Sequence, residues 1–193
     1  MDFWTAMAVT YFKRFRMELR VDGAINLSQV QTPEGIIMQP WEPRLLNAHA
    51  DVKWESFREE LDAHVFPCLA ERDGCRHLMR EISERSDFVP EATWLACRTN
   101  SFDNKLQPCG TIQGLRTSSR EGAVQNLGVH PDFRDMGIGR VLLLHALEGF
   151  HRARCRYVHL EVTVHNTAAI RLYERLGFRT VETLFKIADV QYA

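Results

Sequence analysis

The stretch FRDMGIGRVLLL, residues 133–144, places two glycines where an apolar helix is about to begin. The segment before it, 123–131, has the apolar pattern of a strand that ends at Pro131, and helical spacing resumes at Ile138. A glycine inside a helix costs about 1 kcal/mol relative to alanine, so two of them together need a local reason. The stretch therefore favours a fold in which a strand passes directly into a helix through a glycine loop.

This glycine loop is typical of an anion-binding site. A helix N-terminus has free N–H groups and the positive end of the helix dipole, which together suit a phosphate. Gly137 and Gly139 would let a ligand approach the backbone, and Arg134 and Arg140 add positive charge. A glycine-softened turn that enters a core helix is the structural alternative. The loop lacks the lysine of a P-loop and the third glycine of a dinucleotide fingerprint, which disfavours both nucleotide sites.

The rest of the chain alternates between strand and helix patterns. Further strands are predicted over 11–21, 35–41, 92–98, 110–117, 156–164 and 178–187, with a loop over 100–110. Helices are predicted over 53–66 and 72–85, from Ile138 onward and over 166–177. This order predicts an α+β fold, with a mixed sheet rather than a regular βαβ repeat.

Residues 1–34 are interpreted as an N-terminal extension, made of a strand and a linker, ahead of a domain over 35–193. The length of 193 residues suits one domain with such an extension. The strand of the extension is expected to pair elsewhere in the fold or with a second chain. The second arrangement leaves a homodimer open.

The charge and the cysteines exclude several classes of function. A net charge of -1 gives no overall field that favours nucleic acid or a membrane surface, and no apolar run approaches the roughly 20 residues of a membrane span. The five cysteines are odd in number and form no CxxC pair, so neither a metal site nor a full disulfide framework is predicted. Reduced thiols and a cytoplasmic location are expected.

The segment 123–186 resembles the GCN5-related N-acetyltransferase (GNAT) superfamily in two consecutive motifs. LGVHPDFRDMGIGRVLL matches the acyl-CoA pyrophosphate motif of that family at Arg134, Gly137 and Gly139. LEVTVHNTAAIRLYERLGF matches the strand–helix motif that follows, at Asn166, Ala169, Tyr173, Gly177 and Phe178. The resemblance covers about a third of the chain, is weak over 35–122 and is absent from 1–34. It implies the GNAT acyl-CoA N-acyltransferase fold, a central and mostly antiparallel sheet with splayed strands flanked by helices.

The same resemblance implies that acetyl-CoA is the acetyl donor and that an amine attacks it directly in a ternary complex. The acyl-CoA-binding residues that it implies are Leu127, Gly128, Val129, Arg134, Asp135, Met136, Gly137, Ile138, Gly139, Arg140 and Asn166. Core packing for Leu127 and Val129, and a helix cap for Asn166, are structural roles for the same residues. A non-catalytic acyl-CoA-binding domain, or transfer of another acyl group, is the alternative function.

Two residues receive catalytic roles from the resemblance. Tyr173 stands where the family places the general acid that protonates the CoA thiolate, and an aromatic residue on a buried helix face is its structural alternative. Glu161, twelve positions earlier, stands where protein N-terminal alanine acetyltransferases place the base. A glutamate on a strand face that pairs with an arginine is the alternative for Glu161.

The acceptor is expected to be a primary amine, of a small molecule or of a peptide or protein N-terminus. Family members build the mouth for it from the early helices and the last strands, here 44–86 and 179–193. Its candidate lining residues are Trp54, Phe57, His64 and Phe66. A cationic amine could be attracted by Glu55, Glu59, Glu60 and Asp62, although a run of acidic residues is also typical of a solvated face.

Overall fold

Seven strands and five α-helices make up the computed structural model, which describes residues 8–21, 23, 26–99 and 105–190. The strands are β1 (Ala8–Arg20), β2 (Ile36–Pro40), β3 (Trp94–Thr99), β4 (Leu106–Arg116), β5 (Glu121–Val129), β6 (Tyr157–Thr163) and β7 (Arg179–Val190). The helices are α1 (Leu46–Phe57), α2 (Leu61–Val65), α3 (Arg72–Glu84), α4 (Ile138–Arg152) and α5 (Thr167–Arg175). Among the helices of these described ranges, none is both long and apolar enough to cross a membrane.

The strands form one sheet in the order β2-β3-β4-β5-β6-β1-β7. Neighbouring strands pair antiparallel, except that β5 and β6 run parallel. Their pairing covers only three residues on each strand, Glu121–Ala123 opposite Tyr157–His159. The predicted α+β fold, with a mostly antiparallel and splayed sheet, is thereby confirmed.

The strand near the N-terminus lies inside this sheet. β1 pairs with β6 on one side and with β7 on the other, so that Arg14 stands opposite both Thr163 and Leu184. Its side chains alternate between the two faces of the sheet, as a strand requires. Met17 is fully buried in the main core, whereas Arg14 is buried on the opposite face.

Two of the predicted boundaries are wrong. The loop prediction over 100–110 fails from Leu106 onward, because Gln107 and Pro108 already pair with β3. Pro108 is accommodated where the register of β3 and β4 shifts, which is a position that tolerates a proline in a sheet. Residues 100–104 lie outside the described residues. The predicted helix 53–66 is divided, since α1 begins earlier, at Leu46, and α2 begins only at Leu61.

The helices pack on the two faces of the sheet and produce separate apolar clusters. The main core lies beneath α4, whose Leu142, Leu147 and Phe150 are buried against the sheet. A smaller cluster on the other face joins α1 and α3 through Ala50 and Met79. The separation of β5 from β6 leaves a cleft between these packed regions, and this cleft holds the candidate site.

Candidate active site

The cleft opens where β5 and β6 stop pairing, beyond Ala123 and His159. Six strands and helices, β1, α1, α2, β5, β6 and α5, and the turns beside them supply its walls. The lining side chains are Arg14, Phe57, Asp62, Phe66, Leu69, Val124, Asn126, Leu127, Leu160, Glu161, Val162, Asn166, Ala169 and Tyr173. The predicted catalytic residues Glu161 and Tyr173 and the predicted cofactor-binding residues Leu127 and Asn166 therefore lie in one cavity.

The glycine loop forms the N-terminus of α4. Gly137 is the N-cap residue and has a φ of 82°, a left-handed conformation that favours glycine. No side chain of the described residues caps this helix, so the free N–H groups of its first turn face a loop in which Asp135, Met136, Gly137 and Arg140 are exposed. This geometry suits an anion such as the pyrophosphate of coenzyme A.

Arg134 links the glycine loop to the connection between α1 and α2. Its guanidinium lies 2.8 Å from Glu60 and donates to the backbone oxygens of Ser56 at 3.1 Å and of Val129 at 3.4 Å. The side chain is 42% exposed, so it remains open to a ligand that approaches the loop. Arg134 thus stands between the end of β5 and the acidic segment that leads into α2.

The cleft side of β5 is irregular, for a local reason. Asn126 has a φ of 46° and lies where the register between β4 and β5 shifts, which is the geometry of a β-bulge. Gly128 follows in close contact with α1, because a Cβ there would approach side-chain atoms of Phe57 and Ser56 to 2.8 Å. Gly128 is therefore required by helix packing, a role that the motif did not indicate.

Tyr173 projects from α5 into the cleft and is almost completely buried, at 7% exposure. Burial raises the pKa of its phenol, the charge of Asp62 raises it further, and Arg14 opposes the change. Its ring contacts Phe178 with centroids 5.9 Å apart. The phenol therefore keeps its proton at neutral pH, which is the form required of a proton donor.

Glu161 reaches the same cavity from β6. Its carboxylate lies 3.5 Å from Nε of Arg14, and its side chain is 44% exposed. Glu161 thus combines the predicted position in the site with the arginine contact expected of its structural alternative. The two roles are compatible, because a solvent-accessible carboxylate can exchange protons with water while it faces a cation.

Arg14 and Asp62 form the polar centre of the cleft wall that β1 and α2 supply, and Arg14 was not predicted as a site residue. Nη1 of Arg14 donates to Oδ1 of Asp62 and to Oγ1 of Thr163, both at 2.8 Å. The Thr163 hydroxyl donates to the same Oδ1, also at 2.8 Å. The Arg14 side chain is 7% exposed and that of Asp62 is 17% exposed. This network joins α2 to the middle of the sheet.

Lys53 is a second unpredicted charged residue next to the cleft. It is fully buried, and its Nζ donates to Oδ1 of Asn126 at 3.2 Å and lies 3.9 Å from the sulfur of Met79. Burial lowers its pKa from 10.5 to about 8, although the nearby thiols of Cys75 and Cys68 oppose this. No carboxylate pairs with it among the described residues. Lys53 therefore contacts the bulge of β5 from α1, which packs on that strand.

The other sequence-based candidates separate into two groups. Asn166 caps α5 by accepting from the N–H of Ala169 at 3.1 Å, which confirms the predicted cap. Phe57 and Phe66 line the cleft as expected, whereas Trp54 packs between α1 and α3 and His64 is not among the lining residues.

The acidic segment consists of Glu55, Glu59, Glu60 and Asp62. Of these four carboxylates, only that of Asp62 lines the cleft. Glu55 and Glu59 face Arg58, at 3.4 and 3.5 Å. Within the described ranges, no group of three or more His, Cys, Asp or Glu side chains is placed to hold a metal ion. Asp62 and Glu161 are the carboxylates that line the cleft, and Tyr173 is its phenol.

Two relatives of this chain among known proteins are both acetyltransferases. A mycothiol acetyltransferase from Nocardiopsis dassonvillei is 41% identical over 80 residues, which are 42% of this chain and 23% of that protein. The [ribosomal protein bS18]-alanine N-acetyltransferase of Escherichia coli is 41% identical over 58 residues, which are 30% of this chain and 39% of the relative. The chain thus spans less than half the length of both curated relatives.

A solved structure and a family model match this chain as well, and both are of acetyltransferases. The crystal structure of a GCN5-related N-acetyltransferase from Sphaerobacter thermophilus matches with a TM-score of 0.65 and 25% identity, over 93% of this chain and 52% of that one. The model of the Acetyltransferase (GNAT) family matches residues 54–178, which include the glycine loop, Glu161 and Tyr173. On this match, together with the splayed sheet and its cleft, the chain belongs to the Acetyltransferase (GNAT) family.

Proposed function

We propose that this chain is an N-acetyltransferase that moves the acetyl group of acetyl-CoA to a primary amine by direct attack in a ternary complex. The observation that carries the proposal is the position of buried Tyr173 in a cleft that β5 and β6 open by separating, beside the uncapped N-terminus of α4. The cleft offers a proton donor, and the N-terminus of α4, whose Gly139 lies close to Val129 and Leu172, would offer a site for an anion. The relatives named above support transfer to an amine without identifying which one.

The cofactor would lie along β5 and turn outward at α4. The N–H groups of Met136–Arg140 would hold its pyrophosphate, with charge from Arg134, and β5 would hold its pantetheine arm at Leu127 and Val129. β5 is paired with β6 only as far as Ala123, which leaves the later backbone groups on that edge in need of partners. A ligand with amide groups satisfies that need.

The chemical step requires an uncharged amine and a protonated leaving group. Glu161, directly or through water, would take a proton from the acceptor ammonium, and the amine nitrogen would then attack the thioester carbon. A C–N bond forms and the C–S bond breaks when the tetrahedral adduct collapses. Tyr173 would give its proton to the thiolate and recover one from the nitrogen, so that the net products are the amide, CoA thiol and one proton.

The proposal is tested by release of CoA thiol from acetyl-CoA with a panel of primary amines. We expect Tyr173→Phe to lower kcat by roughly 100-fold, because a positioned acid contributes about that factor or more. Tyr157→Phe is the matched control, since Tyr157 is an exposed tyrosine on β6 outside the cleft, and it should behave as the wild type. Wild-type protein that binds no acetyl-CoA in a calorimetric titration would refute the proposed function.

The thiols support a cytoplasmic location as part of the same proposal. All five cysteines are free, and four of them are buried. Burial raises the pKa of Cys75 and of Cys97 to about 11, which keeps both in the unreactive thiol form at neutral pH. Free thiols without disulfide partners are typical of proteins in a reducing compartment.

A further inference from the structure

Asp62 is the best-fixed carboxylate that faces the cleft. It projects from α2, a helix of one turn, yet its side chain is only 17% exposed because Arg14 and Thr163 hold it against the sheet. Glu161, on the opposite side of the same arginine, is 44% exposed and makes a longer contact of 3.5 Å. The two carboxylates of the cavity therefore differ in rigidity, although they share one cation.

The hydrogen bonds of Asp62 leave one of its oxygens available. Both side-chain bonds end on Oδ1, and none of the hydrogen bonds among the described residues ends on Oδ2. Asp62 also lies where the main cleft meets a second depression formed by Leu61, His165 and Asn166. A ligand that enters from this side therefore meets a carboxylate oxygen with unused capacity as an acceptor.

The charges that line the cavity favour a cation over an anion. One guanidinium, Arg14, faces the two carboxylates of Asp62 and Glu161, which leaves one net negative charge. Arg14 is itself buried and already faces both carboxylates, so it offers no exposed positive charge to an incoming anion. Lys186 lies over the ring of Phe66 at 3.9 Å, but it does not line the cavity.

We propose that Asp62 is the acceptor-docking residue of this site, and that its Oδ2 selects a primary amine that arrives as an ammonium cation. The inference rests on the proposed function and adds to it a binding role for Asp62, separate from proton removal by Glu161. Asp62 holds the incoming cation in place, and Glu161, which is more exposed to water, removes the proton. The acceptor class is therefore an alkyl or peptidyl ammonium rather than an amine that is neutral at physiological pH.

The experiment compares isosteric acceptors with and without charge. Propylamine is a cation near neutral pH, whereas O-ethylhydroxylamine has the same number of heavy atoms and is neutral. Steady-state kinetics with both, or with the best isosteric pair of this kind, gives a preference ratio for wild type and for Asp62→Asn. The asparagine keeps an oxygen for Arg14 and Thr163 and removes the charge, and Glu59→Gln is the control because Glu59 is an exposed acid outside the cleft.

We expect Asp62→Asn to raise the KM for the ammonium acceptor at least tenfold, with kcat changed by less than threefold. The preference for the charged acceptor should fall by the same factor, while the KM for acetyl-CoA and the preference of Glu59→Gln stay at the wild-type values. A merely structural Asp62 would affect both acceptors equally, and that result would overturn the inference. Asp62→Ser, which also removes the charge, supplies the same ratio if the asparagine variant does not fold.

Failure of this inference differs from failure of the proposed function. A wild-type enzyme that acetylates amines and whose Asp62 variants keep the full preference for the cation contradicts the docking role alone. A wild-type protein that acetylates no amine contradicts both. A wild-type preference for the neutral acceptor contradicts the docking role as well.

Discussion

Two buried cations lie close to the same cleft, and their surroundings are opposite. Arg14, on β1, lies within 3.5 Å of two carboxylates and a threonine hydroxyl. Lys53, on α1, has an amide oxygen and a thioether as its hydrogen-bond partners. Burial alone does not determine what a charge does, because its partners decide whether it stabilises or destabilises the fold.

The two cations also act on different parts of the proposed reaction. Arg14 fixes Asp62 and faces Glu161, so it organises the wall that would receive the acceptor. Lys53 holds Asn126 at the bulge of β5, so it supports the strand that would receive the cofactor. Methionine is a flexible apolar side chain. We expect its substitution for Arg14 and for Lys53 to change the free energy of unfolding in opposite directions.

Arg14→Met should have the largest effect. It removes the cation and leaves Asp62 and Glu161 facing each other across an apolar side chain, and breaking a buried ion pair in this way costs about 3 kcal/mol. We expect the free energy of unfolding, measured with urea, to fall by about that amount. Arg16→Met on the same face of β1 is the control, and equal losses from the two variants would show that the network around Arg14 contributes nothing specific.

Lys53→Met should change stability in the other direction. Burial lowers the pKa of this lysine from 10.5 to about 8. This shift corresponds to a destabilisation of the folded chain by about 3 kcal/mol near neutral pH. The hydrogen bond to Asn126, which the methionine variant loses, stabilises the wild type by about 1 kcal/mol. We therefore expect the free energy of unfolding to increase by about 2 kcal/mol in Lys53→Met near pH 7.

This gain should depend on pH with a defined sign. Between about pH 8 and pH 10.5 the unfolded chain keeps the lysine proton and the folded chain releases it. Wild-type stability from this residue therefore rises with pH across that window, and the advantage of Lys53→Met shrinks. An advantage that grows with pH, or a loss of stability near pH 7, would mean that Lys53 is stabilised by more than its contacts with Asn126 and Met79.

Thr163→Val tests the weakest member of the Arg14 network. The valine has nearly the same shape but cannot donate to Oδ1 of Asp62 or accept from Arg14. Hydrogen bonds to charged groups contribute about 1.5 to 3 kcal/mol, so we expect the free energy of unfolding, measured by thermal denaturation, to fall by about 1.5 kcal/mol in this variant. Thr183→Val, at an exposed position on β7, should cost nothing measurable, and the same cost at both positions would argue against the network.

The sequence could predict the parts of the site that lie on continuous motifs. The glycine loop, Asn166, Glu161 and Tyr173 fall within one segment, and helix capping and strand alternation place each of them locally. The same local rules predicted most strands and the mixed sheet. They misjudged the start of β4, because pairing with β3 decided the conformation of Gln107 and Pro108.

The charged residues Arg14 and Lys53 could not be predicted in this way. Arg14 and Thr163 are 149 positions apart, and Arg14 occupies the polar side of an alternating strand that would ordinarily face water. The insertion of β1 between β6 and β7, together with the position of α2 over that face, buries it. Lys53 likewise is a charged residue in DVKWES whose burial no local pattern indicates, and it is buried because α1 packs on β4, β5 and α3.

The central claim is that acetyl-CoA occupies the opening between β5 and β6, with its pyrophosphate at the N-terminus of α4. Two-dimensional amide NMR spectra of the full chain, recorded during titration with acetyl-CoA, test it most directly. We expect the largest chemical-shift changes on the amides of Leu127, Val129 and Gly137–Arg140. Saturable binding whose largest shifts fall elsewhere, with these amides unchanged, would contradict it.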